Sequence, residues 1–166
     1  MNPGVFLLFA YLLLGLQVGL GDVFAWGAWG PELPLLGVIF VALRARADAA
    51  VFGAMLLGLG RDLIGPLPPG LHVVGYGLVA ILTTRASRQL LPNAPAVHAG
   101  LALGGSLLVA ALTWSLAWLR ADVTSPGLWS LLTSALLTAL LAPAALGLFG
   151  TGRKLFAFRK RSFDPR

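Results

Sequence analysis

Six long apolar runs, separated by short breaks rich in Gly, Pro, Arg and Trp, constrain this chain more than any other feature. A helix that crosses a bilayer core needs about 20 residues, so six would use about 120. The chain has 166 residues. What remains is enough for loops and tails, and a separate soluble domain has no room. The runs are continuously apolar rather than alternating, which argues against a membrane β-barrel. Composition agrees: 58% of residues are hydrophobic, 11% are charged, and the mean hydropathy is +0.87. Soluble domains carry about 25% charged residues. A soluble globule, a disordered chain and a nucleic-acid-binding domain are thereby excluded, despite a pI of 11.2. No cysteine is present, which removes disulfides, thiol chemistry and thiolate metal sites.

The expected spans cover residues 4–20, 32–43, 49–62, 71–84, 97–119 and 128–149. This predicts an all-α polytopic membrane protein of six transmembrane helices, the middle ones short and partly broken. Residues 1–150 form the transmembrane domain and 151–166 a basic cytoplasmic tail. The first run has no basic segment before it and no small-x-small cleavage pattern after it, so it reads as a retained helix. Between the third and fourth spans, Gly65-Pro66-Leu67-Pro68-Pro69-Gly70 cannot continue a helix, because its prolines lack the amide donor and fix φ.

Basic residues set the orientation, since Lys and Arg collect on the cytoplasmic side. Arg44, Arg46, Arg85 and Arg88 follow the second and fourth spans. Arg153, Lys154, Arg159, Lys160, Arg161 and Arg166 lie in the tail. Six spans put all of these on one side and both termini in the cytoplasm. Arg61 and Arg120 fall on the other side, each near an acid, Asp62 or Asp122. Tryptophan prefers the interface, where its ring is apolar and its N–H is wet. Trp26, Trp29, Trp118 and Trp129 sit at the expected outer ends, with Trp114 one turn deeper. In the tail, the bases mixed with Phe156, Phe158 and Phe163 suit anionic lipid headgroups. A plain positive-inside anchor and a cytoplasmic protein partner are the alternatives.

Helices in lipid associate through close contact at small residues. Gly15 and Gly19 form one such pair, and Gly100 and Gly104 another. Ala50, Ala54 and Gly58 repeat every four residues, and the next step is Asp62. Ser130, Ser134, Thr138 and Ala142 repeat likewise, ahead of a helix-kinking Pro143. Ordinary packing within the chain is the expected use of these stripes, with dimerisation or partner docking as the alternative.

Asp62 is the residue most able to carry function, because a carboxylate near hydrocarbon is costly. It either anchors the turn that follows through backbone N–H groups or serves transport or binding. Arg61 points about 100° away from it on a helix. His72 and His98 each open a span and read as boundary residues, because no HxxH, HxxxH or HxxE spacing accompanies them. No GxSxG element occurs, and Gly150-Thr151-Gly152-Arg153-Lys154 lacks phosphate-loop spacing. The six acids are scattered over different loops. No catalytic constellation, metal or cofactor site is implied.

From Pro31 to Ala80 the chain resembles the bacterial rod-shape-determining MreD family. The resemblance rests on Pro31-Glu32-Leu33 opening the second span and on Ala42-Leu43-Arg44 closing it. It continues in Gly58-Leu59-Gly60-Arg61-Asp62-Leu63, then in Gly70-Leu71 and Tyr76 after a Gly/Pro loop. Arg61 departs from the family, which has an apolar residue there, as does the paired proline of the loop. The resemblance implies a non-enzymatic scaffold of the cell-wall elongation machinery in the bacterial inner membrane, helping to maintain cell shape. Its direct partner would be an MreC-like bitopic protein. A RodA-type glycosyltransferase, a class B penicillin-binding protein and MreB filaments would be indirect partners. Partner-binding or structural roles fall to Glu32, Ala50, Ala54, Gly58, Arg61, Asp62, Gly70 and Tyr76. The family's fold is similar to the substrate-binding subunits of energy-coupling-factor vitamin transporters. That similarity supplies an alternative: a small-solute-binding subunit with Asp62, Arg61, Tyr76 and His72 near an outward pocket.

Overall fold

A computed structural model describes residues 2–24, 30–65, 68–87, 94–119 and 127–151. The described residues form six helices: α1 (Pro3–Phe24), α2 (Leu33–Arg44), α3 (Ala47–Ile64), α4 (Leu71–Ala86), α5 (Pro95–Leu119) and α6 (Leu128–Thr151). Trp26, Trp29, Arg88, Arg120, Asp122 and the basic tail lie outside the described residues, as does the side chain of Trp118. Among the described residues, three stretches are long and apolar enough to cross a membrane: Pro3–Gly21, Pro95–Leu116 and Leu128–Thr151. The helices α2 and α4 are apolar but shorter, at 12 and 16 residues. At 1.5 Å per residue they reach about 18 and 24 Å, short of a core of about 30 Å.

The centre of the bundle is α2. It packs against each of the other five helices. Its sequence, LPLLGVIFVALR, is apolar on every side, and every residue from Pro34 to Ala42 is buried. An apolar helix of 10–14 residues with no polar face is suited to a core rather than to a lipid boundary. Gly37 lets α1 come close, because a Cβ there would meet the Leu13 side chain. Phe9, Phe40 and Phe149 tie α1, α2 and α6 together, with ring centroids 5.1–5.9 Å apart. Tilted and edge-on aromatic pairs of this kind are favourable beyond the area they bury.

Burying α2 also buries its first amides, which have no partner inside the helix. Neighbouring helices supply the acceptors. The Glu32 amide donates to Thr138 Oγ1 at 2.9 Å, and the Leu33 amide donates to Gln17 Oε1 at 2.8 Å. Ser134 Oγ donates to the Gly30 carbonyl at 2.8 Å. The Ser130–Ser134–Thr138–Ala142 stripe therefore seats the start of α2, with Thr138 fully buried. Helix α6 continues through Pro143.

Outward faces carry large exposed apolar side chains, among them Tyr11, Phe52, Leu63, Leu140 and Leu148. Trp114 and Trp129 are exposed as well, at 44% and 75%.

Candidate functional site

The most extensive helix pairing joins α3 to α4. One face of α3 makes it possible: Ala50, Ala54, Gly58 and Asp62 are all buried. At Gly58 the two backbones touch. A Cβ there would run into the His72 carbonyl and lie 2.7 Å from the Val73 Cα. Only glycine allows that approach, since no flexible side chain stands in the way to yield.

One turn further on, Asp62 meets the first turn of α4. The N-cap of α4 is Gly70, at φ +101°, a left-handed conformation that glycine adopts without penalty. A glycine N-cap has no side chain to accept from the next amides, and α3 provides the missing carboxylate. Asp62 Oδ2 accepts from the amides of Gly70 at 2.8 Å and Val73 at 3.3 Å. Asp62 Oδ1 accepts from the His72 amide at 3.0 Å and lies 2.7 Å from His72 Nδ1. An N-cap side chain accepts from the amides of N2 and N3, which here are His72 and Val73. The negative charge also sits at the positive end of the α4 dipole. Four contacts occupy the roughly four lone-pair sites of a carboxylate.

His72 is thus not a boundary residue, as its sequence position suggested. It is 3% exposed, paired with Asp62 and stacked edge-on against Tyr76 at 5.5 Å. The signal for it was its place one helical turn before Tyr76, which puts both rings on one face of α4.

Arg61 does not pair with Asp62. Glu32, Arg61, Asp62, His72 and Tyr76 act on one another electrostatically, with His72 ahead of Arg61 among the charges felt by Glu32. Arg61 approaches the Tyr76 hydroxyl without a hydrogen bond to Oη that meets ordinary geometry. Among the described residues, four buried polar atoms have no hydrogen-bond partner: Glu32 Oε2, Arg61 Nε, Tyr76 Oη and Ser106 Oγ. Glu32 and Arg61 are half-buried, whereas Tyr76 is fully buried. Two acids that looked scattered in the sequence, Glu32 and Asp62, thus belong to one polar cluster. Ser106 gave no sequence signal beyond being a serine inside an apolar run. Its place follows from packing, because Gly105 rests on Val79 and Val109 rests on Gly75, so α5 crosses α4 beside Tyr76.

Of the sequence-predicted residues, Glu32, Arg61, Asp62, Gly70 and Tyr76 lie near one another where the end of α3 meets the start of α4, while Gly58, Ala54 and Ala50 carry the buried face of α3 away from that point. The glycine pairs behave differently from the expectation of packing within the chain. A Cβ at Gly15, Gly19, Gly100 or Gly104 would meet nothing within 4 Å. These faces are open because α1 and α5 turn their bulkier residues, such as Phe6, Leu13 and Val109, inward instead. Among the described residues no group of three or more His, Cys, Asp or Glu side chains could hold a metal ion.

Compared with known proteins, the chain matches no family model, no curated protein and no solved structure.

Proposed function

We propose that this chain is a non-enzymatic membrane scaffold of the bacterial cell-wall elongation machinery, akin to MreD, and that it holds an MreC-like bitopic partner. Asp62 carries the reading. Its lone-pair sites are taken by three amides of α4 and by His72, so the one acid that stood out in the sequence serves assembly rather than a substrate. The residues behind the resemblance, Gly58, Asp62 and Gly70, form a single clasp between α3 and α4. A motif whose members brace one helix junction suits a protein that works by its shape.

The open glycine faces of α1 and α5 support the same reading. A single transmembrane helix can lie close against Gly15 and Gly19 or against Gly100 and Gly104. On this reading the protein resides in the inner membrane with both termini cytoplasmic. A RodA-type glycosyltransferase, a class B penicillin-binding protein and MreB filaments are reached through the partner. Cross-linking in native membranes, followed by purification of the chain, tests this. Recovery of an MreC-like protein is the expected result; its consistent absence after cross-linking sinks the reading.

A further inference from the structure

We infer that the α3–α4 edge of the bundle binds a locally thinned bilayer, one made of lipids with short acyl chains. The inference requires that the bundle sits in a membrane, and it does not depend on the partner reading. It begins with what the two helices turn outward. Phe52, Leu59 and Ile64 on α3, and Val74, Leu78 and Leu82 on α4, are all exposed. The small residues point the other way: Ala54, Gly58 and Gly77 are buried. Helices in lipid approach one another through small residues. An edge that keeps bulky apolar side chains outward is therefore suited to acyl chains rather than to another helix.

The edge is short. Gly58 lies against Val73, and Gly77 against Met55. In that antiparallel register Arg46 comes level with Arg85, and both are exposed, as is Asp48. These charges mark one water boundary. From Asp48 to Ile64 the helix rises about 24 Å, and the exposed apolar stretch from Phe52 to Ile64 covers about 18 Å. On α4, Leu71 to Arg85 covers about 21 Å. By contrast, α6 exposes apolar side chains from Leu128 to Leu148. That is about 30 Å, the thickness of a typical hydrocarbon core. Tilt cannot close the gap at α3 and α4, because a tilted helix reaches less far across the bilayer. Snorkelling can help only at the Arg46 and Arg85 end. At the other end the exposed residues are Leu63, Ile64 and Pro69, which have no charged tip to extend. A bilayer that meets so short an edge thins there, and lipids with shorter chains fit it at least cost.

The chain has no cysteine, so a single fluorophore can be attached at a chosen position. Bimane is placed on Leu78→Cys in α4, Leu59→Cys in α3 or Leu140→Cys in α6, each in the full chain. Leu140 is 77% exposed near the middle of the long α6 band and serves as the internal reference. Each variant is reconstituted in vesicles of equal parts dimyristoleoyl- and dierucoylphosphatidylcholine. One of the two lipids is brominated at a time, so that it quenches a neighbouring fluorophore. The ratio of short-chain to long-chain quenching should be at least about twofold higher at Leu78→Cys and Leu59→Cys than at Leu140→Cys, because mismatch favours the better-fitting lipid. Two probes on the edge keep the readout available if one variant fails to fold. Equal ratios at all three positions overturn the proposal. Quenching at Leu140→Cys with none at the other two also overturns it, and assigns the edge to a second copy of the chain. Absence of quenching at every position removes the membrane reading itself.

Discussion

Asp62 and His72 are joined twice: the His72 amide donates to Asp62 Oδ1 at 3.0 Å, and the His72 ring nitrogen Nδ1 lies 2.7 Å from the same oxygen. One carboxylate on α3 therefore holds both the backbone and the side chain of a residue on α4. The pair is almost wholly shielded, with the Asp62 side chain at 0% and that of His72 at 4% exposure.

Removing the carboxylate should open this junction. Asp62→Ala leaves the amides of Gly70, His72 and Val73 without their acceptor. The loss of a cap and of buried acceptors together should cost about 2–4 kcal/mol. Asp62→Asn keeps one carbonyl oxygen and should cost less. Thermal unfolding in detergent or nanodiscs ranks the two. Equal damage from Asn and Ala would mean that charge, and not hydrogen bonding at the turn, is what α4 requires.

The Asp62 and His72 contributions should be coupled. His72→Phe preserves a ring against Tyr76 but removes the Nδ1 contact, while the backbone bond to Asp62 remains. A double-mutant cycle of Asp62→Asn with His72→Phe should show an interaction energy of about 1 kcal/mol or more. Strict additivity would show that the ring contact contributes nothing.

Gly58→Ala should be as harmful as a core overpacking change, about 1–3 kcal/mol, because its Cβ meets the backbone of His72 and Val73. Gly15→Ala and Gly104→Ala meet open space and should leave the unfolding temperature unchanged. Under the scaffold reading, larger residues at these open positions should still reduce recovery of the cross-linked partner. The same unfolding and co-purification assays separate the two kinds of glycine.

Thr138→Val is nearly isosteric but removes the acceptor for the Glu32 amide. With that amide unpaired, the start of α2 should lose about 1–3 kcal/mol. Hydrogen exchange at the Glu32 amide should rise in the variant while exchange in α5 stays as it was.

The apolar helical character of the chain and the approximate limits of its helices are legible in its residues alone. Continuous apolar runs leave few alternatives, and Gly-Pro breaks end a helix wherever they stand. Asp62 and the small residues in register with it stand out there too, because a four-residue repeat puts them on one helical face. Tertiary structure decided what those features touch. That α2 is a buried centre follows from its being surrounded, which a run of 12 apolar residues alone does not specify. The two kinds of glycine look alike in sequence, yet Gly58 lies against the backbone of α4 while Gly15 and Gly104 face open space. The convergence of Glu32, Arg61, Asp62, His72 and Tyr76 likewise depends on the folding of three helices. Periodicity places a residue on a face of its own helix, and only packing determines which other helix lies against that face.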